Sequence, residues 1–180
     1  DPAQTTDVAA NHPELTERLR QSYNTWYETL KPTFPDVARI IVGAPQANPA
    51  RLTCMDLHAI NENGGKTVWN QKGVLTAARN YGVWKIDVAI AGTYTISLRR
   101  WPSESGLKFS DTPHKGTPMT YREAQLKIGP HDLTQVIDPH TSKVAFTITL
   151  ESGPTDLDAV LIQADGKKTT AYFVTIELNH

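Results

Sequence analysis

Aromatic and cationic side chains carry most of the chemistry this sequence offers. Trp69, Trp84, Trp101, Tyr81 and Tyr121 could each stack on the flat apolar face of a ligand such as a sugar ring. Trp84 and Tyr94 fall in phase with Ile and Leu, which assigns them to a core. Trp69 stands beside Asn70 and Gln71, and Trp101 between Arg100 and Pro102, so a role at a loop-end site is open for both. Arg99 and Arg100 must alternate faces on a strand. One of them should turn toward the interior or a loop-end network and the other toward solvent. With Glu104 either arginine can make a structural ion pair or a clamp for a sulfate-like oxyanion, whose oxygens a guanidinium fork matches in bidentate fashion.

Covalent and metal chemistry find less support. The six histidines (12, 58, 114, 131, 140 and 180) form no HExxH or His-x-His spacing, so no zinc site is expected. There is no G-x-S-x-G elbow, no Gly-rich phosphate loop ahead of a helix and no Cys–His pair of recognisable spacing. Asp156 and Asp158 could take a structural Ca²⁺, but solvated acids flanking a turn are the simpler reading. Cys54 is the single cysteine. It excludes an internal disulfide or a thiolate cluster and reads as a small buried hydrophobe.

The elements that must position these groups are of two kinds. Residues 12–31 form the one clear helix, with Leu15, Leu19, Tyr23, Trp26, Tyr27 and Leu30 in a stripe along one face. Asn11 or His12 can cap it, Pro13 suits its first turn, Glu14 and Glu17 suit its positive end, and Pro32 and Pro35 stop it. The stripe is a packing surface, for the following domain or for something outside this chain. Beyond Pro35 the pattern turns to short strands, best over 37–42, 83–91, 93–101, 143–150, 157–164 and 170–178. Trp84, Ile86, Val88 and Ile90 share one face, as do Tyr94, Ile96 and Leu98. Ala91-Gly92 and Asp165-Gly166 read as hairpin turns. Segments 43–51, 61–73 and 101–120 read as loops. The expected fold is mainly β, an antiparallel β-sandwich or jelly roll preceded by one amphipathic α-helix.

Composition narrows the partners. Formal net charge is -1 and the basic residues are dispersed, which argues against nucleic acid or an anionic membrane as partner. Hydrophobic residues at 39% and charged residues at 21% fit a globular chain with a buried core. No apolar run approaches the roughly 20 residues of a membrane helix. Asp1 opens the chain with no signal-peptide pattern, and the expectation is that processing or truncation removed what came before.

Asp1-Pro2-Ala3 through Val8-Ala9, then His12-Pro13-Glu14 and an amphipathic helix, resemble the tail of the bacterial arylsulfatase-type sulfatases. Val68-Trp69-Asn70-Gln71, Gly82-Val83-Trp84, Gly92-Thr93-Tyr94, Leu98 through Glu104 and Ala171-Tyr172-Phe173-Val174 are similar to the C-terminal extension of many of these enzymes. Leu57 departs from that pattern, which has a Trp after the Asp. The resemblance implies that residues 1–35 are the terminal helix of a sulfatase catalytic domain with its linker, and residues 36–180 a β-sandwich accessory domain. It implies a secreted or periplasmic parent enzyme using a divalent cation such as calcium, with its catalytic domain as the partner of this chain. The family's nucleophile lies in C/S-x-P-x-R. Cys54 precedes Met-Asp-Leu, and Ser152-Gly153-Pro154-Thr155 ends in Asp156 where Arg is required, so this chain is expected to be non-catalytic and to hold no cofactor. An accessory role shaping substrate access, with the Trp69-Asn70-Gln71 loop contributing, is the leading expectation. An independent module for sulfated carbohydrate is the alternative.

Overall fold

The computed structural model describes residues 2–60 and 66–179. Cα packing divides the chain into two compact units, Asp1–Ala38 and Arg39–His180.

The first unit is built on α1 (Pro13–Leu30). Its N-cap is His12, but neither His12 nor Asn11 caps it with a side chain; Asn11 instead closes a 3-10 turn, Ala9–Asn11. Pro13 occupies the first helical turn, where a missing N–H is no loss. Pro32 ends the helix by drawing Lys31–Thr33 into another 3-10 turn. Within its own unit no residue of α1 is buried, so the apolar stripe is not covered from within that unit. Tyr23 stacks on Tyr27 at 5.9 Å, and Tyr27 meets the edge of Phe34 at 5.6 Å, so the aromatic rings pair among themselves.

The second unit holds eleven strands among the described residues: β1 (Ile40–Val42), β2 (Ala50–Thr53), β3 (His58–Ala59), β4 (Gly82–Val88), β5 (Gly92–Arg99), β6 (Tyr121–Ile128), β7 (His131–Val136), β8 (Val144–Leu150), β9 (Gly153–Gln163), β10 (Lys168–Thr170) and β11 (Phe173–Leu178). One sheet runs β1-β4-β9-β6-β7, with β3 also on β4 and β10 also on β9; the other runs β2-β11-β5-β8. Every pairing is antiparallel except β1 with β4. The fold is therefore a β-sandwich, as the strand pattern indicates.

Alternation explains why it closes. Trp84, Ile86 and Val88 of β4, Leu157, Ala159 and Leu161 of β9, and Ala124, Leu126 and Ile128 of β6 put one face of the larger sheet into the core. Tyr94, Ile96 and Leu98 of β5, Phe146 and Ile148 of β8, and Val174 and Ile176 of β11 do the same for the smaller sheet. Two polar atoms in this core find backbone partners: Trp84 Nε1 donates to Thr53 O at 2.8 Å, and Tyr94 Oη to Ile90 O at 2.5 Å.

Several expectations change. Ala91-Gly92 does not turn a hairpin: β4 and β5 lie in different sheets, so the turn carries the chain across the sandwich and sets their apolar faces against each other. Asp165-Gly166 does turn one, with Gly166 at φ +83°, but it joins β9 to the short β10. The strand expected over 170–178 is split at Ala171-Tyr172, where the chain passes from one sheet to the other. The strand over 37–42 begins only at Ile40, and β9 begins at Gly153, so Ser152-Gly153-Pro154-Thr155-Asp156 runs into a strand rather than lying in a loop. Strand β2 enters the supposed loop 43–51 at Ala50, and a short helix α2 (Gln71–Leu75) ends the supposed loop 61–73. Residues 61–65 of that loop lie outside the described residues.

Candidate functional site

At one end of the smaller sheet the strand ends are level, because Phe173 of β11 pairs in register with Thr53 of β2 and with Arg99 of β5. The chain leaving each strand builds the walls of a pocket of about 350 Å³, lined by Met55, Gln71, Leu75, Trp101, Leu107 and Phe173 among others.

Each wall has a local cause. After β2, Thr53 and Asp56 form a reciprocal cap: Met55 N donates to Thr53 Oγ1 at 3.2 Å, and Thr53 N donates to Asp56 Oδ2 at 2.7 Å. This holds Cys54 inward, 4% exposed, and throws Met55 outward, 70% exposed. Burial pushes the Cys54 thiol up from its ordinary value, in keeping with an inert packing role. Asn70 caps α2 by accepting from Gly73 N at 2.8 Å, which places Gln71 and Leu75 on the opposite wall. Trp101 follows β5 and lines the pocket although it is 4% exposed.

The sequence-derived site residues separate into three places. Asn70, Gln71 and Trp101 line the end pocket. Trp69 lies outside its lining with a ring 71% exposed, so Trp69 and Trp101 do not form the pair of exposed platforms that a sugar-stacking site built on both would need. Arg99 and Glu104 line a smaller neighbouring groove of about 150 Å³. There Arg99 donates from Nη1 to the Ser142 carbonyl at 3.2 Å and hydroxyl at 3.0 Å, while Glu104 is ion-paired with Arg51 rather than with Arg99 or Arg100. Arg99 and Glu104 thus share a groove in which each feels the other's charge without an ion pair between them.

Arg100 is the inward arginine, 1% exposed. Its guanidinium lies 4.2 Å from the centre of the Trp101 ring and 5.9 Å from that of Tyr121, and Nη2 donates to Thr117 O at 2.6 Å. Arg100 Nε and Nη1, Trp101 Nε1 and the Tyr121 hydroxyl have no partner among the described residues. Burial pushes the Tyr121 hydroxyl up to about 12, and burial lowers the Arg100 value. Of the remaining aromatic candidates, Trp84 and Tyr121 are core, and Tyr81 is half-buried with the Arg79 guanidinium 4.5 Å from its ring centre.

Met55, Leu75, Leu107 and Phe173 are pocket residues that sequence reasoning passes over. The Thr53-Cys54-Met55-Asp56 spacing is a capping-box signal that could have located Met55. Leu107 and Phe173 come from segments far apart in sequence and carry no local signal. Asp156 and Asp158 are not turn acids but strand residues of β9, and Asp156 is ion-paired with Arg39 at 3.1 Å and with Lys85. Among the described residues no three His, Cys, Asp or Glu side chains gather as a metal site, and no helix is long and apolar enough to cross a membrane.

The chain matches no protein family and no curated protein. Solved structures give partial overlays. A ruminal GH26 endo-β-1,4-mannanase aligns with TM-score 0.41 and 11% identity, over 73% of this chain and 26% of that one. A CBM35 from Cellvibrio japonicus aligns with TM-score 0.35 and 16% identity, over 76% of this chain and 95% of that module. A family 35 carbohydrate-binding module from an environmental isolate aligns with TM-score 0.35 and 20% identity, over 55% and 64%. This chain spans about a quarter of the mannanase's length. Overlays at these scores carry no argument about ligand or activity, and the sandwich assignment rests on the strand pairing itself.

Proposed function

We propose that residues 39–180 are a non-catalytic carbohydrate-binding module, with the end pocket as its ligand site. The observation that carries this reading is the pocket's chemistry. Met55, Leu75, Trp101 and Phe173 offer an apolar wall for the C–H face of a sugar ring, and the Gln71 amide stands at that wall with both donors and an acceptor for hydroxyls. Asn70 contributes only its amide nitrogen, because its oxygen is engaged as the α2 cap.

The test is titration of neutral and sulfated oligosaccharides into the chain, followed by calorimetry. Gln71→Ala should weaken binding about tenfold, the loss of one to two hydrogen bonds, with the melting temperature unchanged because Gln71 is exposed. Trp69→Ala should leave affinity unaltered, since its ring lies outside the pocket. Unchanged affinity in Gln71→Ala would remove the end pocket as the site.

A second reading, an accessory domain of a secreted or periplasmic sulfatase, is favoured by α1. Its Leu15, Leu19, Tyr23 and Trp26 stripe is not buried within its own unit and is suited to another protein surface. Under that reading the sulfatase catalytic domain, with its divalent cation, is the partner. Trp26→Glu in the parent enzyme would lower its stability, and wild-type stability in that variant would sink the docking role.

A further inference from the structure

A second cleft, of about 610 Å³, lies between the segment Arg79–Tyr81 and the β9–β10 hairpin and shares no lining residue with the end pocket. Arg79, Tyr81, Gln163, Lys167, Lys168 and Thr169 are the side chains that give it its chemistry.

Its base is a hydrogen-bonded platform organised by Asn80, which is fully buried. Asn80 Oδ1 accepts from Val68 N at 2.9 Å, and its Nδ2 donates to Thr170 O at 3.3 Å. Asn80 O accepts from Thr170 N at 2.7 Å, and Asn80 N donates to Thr169 Oγ1 at 3.3 Å. Tyr81 Oη donates to Lys168 O at 2.7 Å, and Gly82 N donates to Thr170 Oγ1 at 3.2 Å. The Arg79 segment and β10 are therefore tied together at the backbone, which brings the cations they carry to one cleft.

Three cations stand on this platform in a chain whose formal net charge is -1. Lys167 is partly neutralised by Asp165, 2.7 Å away. Arg79 and Lys168 are in no ion pair among the described residues. The Arg79 guanidinium lies over the Tyr81 ring, 4.5 Å from its centre, a cation–π contact that restrains it. A restrained guanidinium and the Lys168 ammonium, which makes no ion pair among the described residues although Asp158 and Asp132 draw on its charge, line one cleft. Together they are a donor set that an oxyanion takes, and a cleft of this size admits more than a bare ion.

We propose that this cleft binds the oxyanion of an acidic saccharide, carried as a sulfate ester or a carboxylate. That the oxyanion sits on a saccharide rests on the carbohydrate-binding reading above; that the cleft takes an oxyanion rests on Arg79, Lys168 and their platform alone.

The experiment measures binding of dextran sulfate, polygalacturonate and uncharged dextran to the full chain at low and raised salt, with sodium sulfate as competitor. Dextran sulfate or polygalacturonate should bind at low salt and weaken as salt rises, whereas uncharged dextran should not occupy this site. Affinity should fall at least about tenfold in the Arg79→Ala/Lys168→Ala double variant, and stay within about twofold in Lys108→Ala and Arg122→Ala, whose cations lie elsewhere. Lys167→Gln, on an exposed turn, carries the same test if the double variant loses melting temperature. Absence of binding by both polyanions, or equal loss in the off-cleft controls, would overturn the site. Inorganic sulfate binding as tightly per charge as dextran sulfate would keep the oxyanion and remove the saccharide. Because Gln71 lies in the other pocket, Gln71→Ala should leave polyanion binding intact, so failure of the end-pocket reading is seen separately.

Discussion

Asp158 illustrates how a single carboxyl can oppose the fold that contains it. It stands half-buried on β9, level with Lys127 of β6. Burial pushes its carboxyl above the ordinary value, Lys127 and Lys168 pull it back only in part, and Asp132 adds to the rise. With the folded value above the unfolded one, the unfolded chain binds fewer protons between the two values. Stability therefore falls as pH rises through that window, and the full penalty is present above the folded value. Asp158→Asn should raise the denaturation midpoint at pH 7 and give no gain below the ordinary carboxylate range; a loss at pH 7 would show that its lysine contacts outweigh burial. Asp156, two residues earlier, behaves oppositely. Burial raises it, but Lys85 and Arg39 outweigh burial and hold it below the ordinary value. At this scale the sequence was informative about faces and silent about partners. The alternation of Arg99 and Arg100 points to one inward and one solvated arginine; Arg100 is the inward one, whereas Arg99 is half-buried rather than solvated. That Glu104 pairs with Arg51 follows from a fold-level approach of residues 53 apart, which no local pattern encodes.

Among the elements, those with an uninterrupted period of two were legible and the rest were not. β4 and β8 alternate cleanly, and β5 does so except at Ser97, which is buried between Ile96 and Leu98. β6 does not, because its register shifts between Tyr121 and Glu123, so Tyr121 falls out of phase with Ala124, Leu126 and Ile128. β7 is an edge strand with no buried residue, hence no alternation to read. The turn mistaken for a hairpin at Ala91-Gly92 has hairpin residues, and only the sheet assignment of its two strands reveals the crossover. The path after β1 depends on Gly43, which has φ +76° and faces the Tyr94 ring so closely that a Cβ would lie 2.0 Å from the hydroxyl oxygen. Gly43→Ala must move a fully buried ring or the backbone itself. It should cost about 2–3 kcal/mol in chemical denaturation, more than helix or strand propensity alone would produce. A cost under about 0.5 kcal/mol would mean that β1 can shift freely.

At the scale of the molecule, every buried hydrophobic residue among the described residues lies from Val42 to Ile176, and none of them belongs to the first unit. The core needed for stability is thus contained in residues 39–180. A chain beginning at Arg39 should unfold cooperatively, with a denaturant midpoint matching that of the full chain. A large drop would show that residues 1–38 contribute to the sandwich. The legibility of the functional site follows the same division. Asn70, Gln71 and Trp101 could be marked from their local surroundings, but a pocket is a property of chain ends brought level by strand register, and Phe173 joins them only through its pairing with Thr53 and Arg99.

The bonds centred on Asn80 bear on how the protein opens as well as on what it binds. The amide hydrogens of Val68, Asn80, Gly82 and Thr170 are each held by a group on a different stretch of chain. None can meet solvent deuterium unless that shared junction separates. In native-state hydrogen exchange these four amides should therefore be released together, with one common opening free energy, while amides of the exposed β7 edge exchange ahead of them.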